Sequence, residues 1–121
     1  KKARRIRKVF GGGMRQAGII AAAGLYALQN NVQRIEKDHL HAKMIAEALC
    51  KKDFVGQVLP VETNIIIFEV KGKYNPVSLR DALVKQNIYT YAISKSQVRI
   101  VTHLDISQDM VEQTISAIED L

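Results

Sequence analysis

An α+β protein is predicted: helices in the first 52 residues, then a small antiparallel or mixed sheet with helices on one face. Three observations predict it. Apolar residues recur at helical spacing as far as Cys50; β-branched residues cluster at 64–70 and again at 97–103; and the elements after residue 53 read β-β-α-β-β-α. A sheet of short strands joined by tight turns and one helix buries one face and leaves the other available. The expected division is therefore a helical segment over residues 1–52 and a small α+β domain over residues 53–121.

The elements follow in order. Residues 3–10 form a short helix, with Ile6, Val9 and Phe10 on one face and arginines on the other, stopped by Gly11-Gly12-Gly13. From Met14 to Gln29 the chain is apolar almost all round, with Gly18 and Gly24 among the alanines and isoleucines. Such a helix is expected to be buried against other elements or another subunit. After Asn30-Asn31, the positions Val32, Ile35, Leu40, Met44, Ile45, Ala48 and Leu49 mark a long amphipathic helix, with Asp38 on its polar side. His39 and His41 are two apart and point to different faces, so they read as surface or partly packed side chains rather than a metal pair.

Strands are expected at Phe54–Leu59 and Asn64–Val70, then a turn at Lys71-Gly72-Lys73. Asn75-Pro76 supplies an N-cap and a first-turn proline for a helix to about Gln86. Ile88–Ile93 and Gln97–His103 are the remaining strands, the latter with Val98, Ile100 and Thr102 on one face and Arg99, Val101 and His103 on the other. Asp105 or Ser107 caps the last helix.

A length of 121 residues suits one compact domain or part of a larger one. An apolar fraction of 47% against 25% charged excludes the composition of disorder and requires a folded core. The net charge of +6 is local: seven of the 18 basic side chains lie in the first fifteen residues with no acid among them, which leaves 11 bases against 12 acids in the rest. Only Phe10 accompanies that cluster, whereas nucleic-acid binding calls for stacking or base-reading groups as well. Cys50 is single, which excludes a disulfide or a multi-cysteine metal site within one chain and fits a reducing, cytoplasmic setting. The apolar run at residues 17–28 is too short for a membrane span.

Complete enzyme chemistry is not visible: no nucleophile elbow, HExxH, paired carboxylates or cysteine cluster occurs, so no catalytic residue is assigned in this chain. What remains is a set of anion binders, Lys8, Arg15 and Arg99. The glycine run lets a ligand or a neighbouring chain come close, and Arg15 is placed just inside the following helix, where free N–H groups and the helix dipole favour an anion. A plain linker between helices fits the same residues. Arg99 lies within an apolar strand, where its guanidinium needs either solvent or a negative partner. That partner is an internal acid such as Glu69 or Asp105, or a substrate carboxylate.

The run from Arg7 to Gly18, containing Gly11-Gly12-Gly13-Met14-Arg15-Gln16, resembles the segment that follows the cofactor lysine in the low-specificity L-threonine aldolases. The later Thr63-Asn64 and Val98-Arg99-Ile100-Val101-Thr102-His103-Leu104-Asp105 are similar to that family's C-terminal pattern. These are pyridoxal 5'-phosphate (PLP) enzymes of the aspartate aminotransferase fold. The resemblance implies cleavage of L-threonine or L-allo-threonine to glycine and acetaldehyde, with the cofactor taking up the electrons released. It implies that Arg99 holds the substrate carboxylate and that Lys8 and Arg15 lie near the cofactor phosphate, across a subunit interface of a dimer or tetramer.

In the family, the lysine that anchors the cofactor precedes the glycine run in a serine- and glycine-containing context that Lys1, Lys2 and Lys8 lack. The resemblance thus implies a C-terminal portion, inactive alone, whose partner is the N-terminal PLP-binding portion of the same enzyme. Residues 1–52 would pack on that portion's large domain, and residues 53–121 would be the small domain. The alternative is a non-catalytic interaction module whose basic N-terminal helix binds an acidic partner or nucleic acid.

Overall fold

The computed structural model describes residues 1–121 as two compact units, Lys1–Arg34 and Ile35–Leu121. The first holds α1 (Lys2–Val9) and α2 (Gly18–Asn30). The second holds α3 (Ile35–Cys50), β1 (Val55–Val58), β2 (Ile65–Val70), α4 (Pro76–Val84), β3 (Tyr91–Ala92), β4 (Gln97–Val101) and α5 (Gln108–Glu119).

In the second unit the four strands run in the order β1-β2-β4-β3, and every neighbouring pair is antiparallel. Alternation decides the rest. Ile66, Phe68 and Val70 of β2 and Val98 and Ile100 of β4 are buried, whereas Ile65, Arg99 and Val101 on the opposite face are exposed. The buried face joins one core with Ala42, Ile45 and Leu49 of α3, Leu79 and Leu83 of α4, and Val111 and Ile118 of α5. The helices therefore lie on one side, and the sheet keeps an open second face.

α3 contributes to that core, so the long helix that composition groups with residues 1–52 shares its packing with the sheet. Its buried stripe runs through Asp38, His41, Ala42, Ile45, Ala48 and Leu49, the i, i+3 and i, i+4 neighbours of one face. Leu40 falls off that stripe and is 56% exposed, while Asp38 and His41, expected at or near the surface, are each 7% exposed. His41 Nδ1 has no hydrogen-bond partner. The backbone carbonyl of Asp38 accepts the Thr102 hydroxyl at 2.7 Å, and the amide of Asn64 donates to the Thr102 carbonyl at 2.6 Å. Thr102 and Asn64 thus tie the end of β4 and the start of β2 to one another, and Thr102 ties both to α3.

α4 starts as its sequence dictates. Asn75 Oδ1 accepts the N–H groups of Val77 and Ser78 at 3.0 Å each, and Ser78 Oγ accepts the Asn75 N–H at 2.9 Å, which closes a reciprocal capping box. Asn75→Ala is expected to lower stability by about 1 kcal/mol, read as a shift of the urea midpoint with an unchanged slope. Ser107, rather than Asp105, caps α5 by accepting the Met110 N–H at 3.3 Å.

β3 is shorter than the expected strand over 88–93: only Tyr91 and Ala92 pair with β4. The residues before them turn back through Asn87 at φ +61°, and Ile88 N–H bonds to the Leu83 carbonyl at 3.1 Å, so they extend the end of α4 instead of the sheet.

In the first unit α2 begins at Gly18, not Met14. Gln16 takes φ +52°, a left-handed conformation that no α-helix continues. No residue of α2 is buried, although Ile19, Ile20, Leu25, Tyr26 and Leu28 are large and apolar. The burial expected of this helix is not met within the chain.

Candidate functional site

The three cations assigned from sequence fall in both units: Lys8 and Arg15 in the first, Arg99 in the second. Around the glycine run the backbone is already committed. Gly11 N–H donates to the Lys8 carbonyl at 3.1 Å, Gly12 N–H to the Arg7 carbonyl at 2.8 Å, and Gly13 N–H to the Gly11 carbonyl at 2.8 Å. These amides close the end of α1 and form no anion cradle. Gly11 is needed for φ +81°, and Gly12 because an added Cβ would stand 2.5 Å from Arg7 Cγ and 2.8 Å from the Arg7 carbonyl oxygen. At Gly13 the nearest atom would be Lys8 Cγ at 3.8 Å, an ordinary contact. Gly12→Ala should therefore break the turn and speed hydrogen exchange at the residue-12 amide by at least about tenfold, whereas Gly13→Ala leaves that amide protected.

Arg15 sits in the turn between α1 and α2, ahead of the helix N-terminus rather than inside it, because the backbone is left-handed at Gln16 before α2 begins. Its charge, with that of Lys8, is what remains for an anion here: both side chains are exposed and neither forms an ion pair. Two exposed cations, one before the glycine turn and one after it, are available to an anion.

Arg99 occupies the open face of the sheet. In register, Ile67 of β2 and Tyr91 of β3 stand on either side of it, so Ile67, Arg99 and Tyr91 form a row across three strands. The guanidinium carbon lies 5.7 Å from the centre of the Tyr91 ring. No carboxylate comes within ion-pair distance. Glu69 leans towards β1, where its Oε2 lies 3.2 Å from where a Cβ on Gly56 would be, and Asp105 instead faces His103 Nδ1 at 3.6 Å. The internal ion pairs open to Arg99 in the sequence are thus not formed. His103 acts in the turn after β4, its Nδ1 accepting the Asp105 N–H at 3.3 Å and its carbonyl accepting Ile106 N–H at 2.9 Å. Sequence reasoning missed Tyr91. The available signal was the turn at 94–96, since a hairpin centred on Lys95 sets residue 91 opposite residue 99.

Residues 1–73 match the model of a family described as beta-eliminating lyase. The chain belongs to this family. It is also 42% identical over 113 residues to the low specificity L-threonine aldolase of Escherichia coli K12, covering 93% of this chain and 32% of that protein. To low-specificity L-threonine aldolase 1 of Arabidopsis thaliana it is 37% identical over 122 residues, 98% of this chain and 34% of that one. The chain spans about a third of the length of these curated relatives.

Among solved structures, a cystine C-S lyase complexed with its product cysteine persulfide matches with a TM-score of 0.65 at 17% identity, over 86% of this chain and 28% of that one. The histidinol-phosphate aminotransferase of Clostridium acetobutylicum matches with a TM-score of 0.55 at 20% identity, over 71% and 25%. These two likenesses concern the fold. The resemblance carried by GGGMRQAG and VRIVTHLD is accordingly matched across nearly the whole chain of this lyase-family member.

Proposed function

We propose that the chain is the C-terminal part of a PLP-dependent threonine aldolase, which cleaves L-threonine or L-allo-threonine between Cα and Cβ to glycine and acetaldehyde. The observation that carries this reading is the unpaired guanidinium of Arg99 on the open sheet face, within a run similar to that of the aldolases. Arg99 grips the substrate carboxylate with two parallel N–H donors and so fixes how the amino acid is presented for cleavage. Lys8 and Arg15 hold the cofactor phosphate, to which their exposed charges are suited. PLP, when bound, supplies the electron sink for the bond that breaks.

The lysine that anchors the cofactor, and the groups that face its ring, belong to the N-terminal portion of the enzyme. That portion covers the exposed apolar side chains of α2, in an oligomer that completes the site. The chain alone is inactive on this reading. Borohydride reduction after incubation with PLP, followed by intact-mass analysis, tests it: the 121-residue chain should take up no stoichiometric pyridoxyl group, and the complete enzyme one, on a lysine preceding residue 1 of this sequence. A stoichiometric adduct on Lys1, Lys2 or Lys8 overturns the assignment.

A further inference from the structure

Arg99 has an aromatic ring beside it and no acid within ion-pair distance. A carboxylate partner would consume the guanidinium's donors. A ring under its plane touches the π-face and leaves the five N–H groups at the edge free. Tyr91 is within reach of that role: it is the direct cross-strand partner of Arg99, its ring centre is 5.7 Å from the guanidinium carbon, and it is 64% exposed, so the ring itself packs into no core. On the other flank Ile67 offers only hydrocarbon. The two acids that the sequence offered to Arg99, Glu69 and Asp105, are turned to Gly56 and His103 respectively.

We propose that Tyr91 is the positioning residue of the carboxylate site: its ring fixes the plane of the Arg99 guanidinium so that both donors of the fork meet an amino-acid carboxylate together. The role belongs to the ring, not the hydroxyl. It rests on the carboxylate-binding reading of Arg99. Without the ring, the arginine keeps its charge but must give up rotamer freedom when substrate binds, and the fork is seldom presented in plane.

The test uses Tyr91→Phe, Tyr91→Leu and Arg99→Ala in the complete enzyme, with KM and kcat for L-threonine measured separately. Tyr91→Phe should behave as wild type. Tyr91→Leu should raise KM about tenfold with kcat nearly unchanged, and should add nothing in the Arg99→Ala background. A second readout needs no catalysis: in the 121-residue chain the Arg99 Nε–H resonance should carry a ring-current shift that Tyr91→Phe preserves and Tyr91→Leu removes. If Arg99→Ala raises KM but Tyr91→Leu leaves both KM and the resonance unchanged, the positioning role is wrong and the carboxylate reading stands. If Arg99→Ala leaves KM unchanged, both fall. A Tyr91→Leu penalty of equal size with and without Arg99 also overturns the positioning role.

Discussion

In the complete enzyme, Arg99→Ala should raise the KM for L-threonine by at least about 100-fold while cofactor affinity stays within about twofold. The size follows from what is lost. A bidentate arginine–carboxylate contact contains two charge-assisted hydrogen bonds, each contributing about 1.5–3 kcal/mol, and each 1.4 kcal/mol is about a factor of ten. No internal acid competes for the guanidinium, so on the proposed reading the whole contact would be available to substrate. Arg99→Lys keeps the charge without the planar fork and should fall between the two. Steady-state kinetics and equilibrium dialysis with PLP separate the two affinities. Equal loss of both would show Arg99 acting through the fold or the cofactor.

The second large effect concerns stability. Phe68 is fully buried at the centre of β2, paired with Val98 and enclosed by the core beneath the helices. Phe68→Ala should cost about 3–5 kcal/mol, since a cavity is left where a ring was. For a unit of this size that lowers the thermal midpoint by roughly 15 °C or more, a large share of the stability of an ordinary domain. Ile65→Ala, three residues away on the open face and 41% exposed in wild type, should cost less than about 1 kcal/mol. Comparable losses at the two positions, measured by thermal unfolding of the 121-residue chain, would mean that the two sheet faces are not distinguished as described.

Where the sequence carried a strong period, it revealed the fold. The alternation in 97–103 separates buried Val98, Ile100 and Thr102 from exposed Arg99, Val101 and His103, as read from spacing alone. Asn75-Pro76 and Ser107 are local signals and act locally. The misreadings are tertiary in origin. Nothing in Arg15-Gln16 announces the left-handed Gln16 that moves Arg15 out of α2. The polarity of Asp38 and His41 suggested a surface, but the face of α3 that meets the sheet passes through both, and Thr102 supplies the Asp38 carbonyl with a buried donor. Three adjacent glycines looked like an anion loop, yet their N–H groups are used on Arg7, Lys8 and Gly11. Arg99 was singled out by chemistry, because an arginine in an apolar strand needs an explanation wherever it points. Tyr91 was not, because cross-strand register is a relation between two segments and each segment alone is silent on it.

The most direct test is to measure PLP-dependent glycine release from L-threonine by the 121-residue chain alone and by the same chain together with the upstream portion that carries the cofactor lysine. Glycine and acetaldehyde in equal amounts from the complete protein only, and none from the chain alone, is the predicted result; turnover by the isolated chain, or none from the cofactor-loaded complete protein, would contradict it.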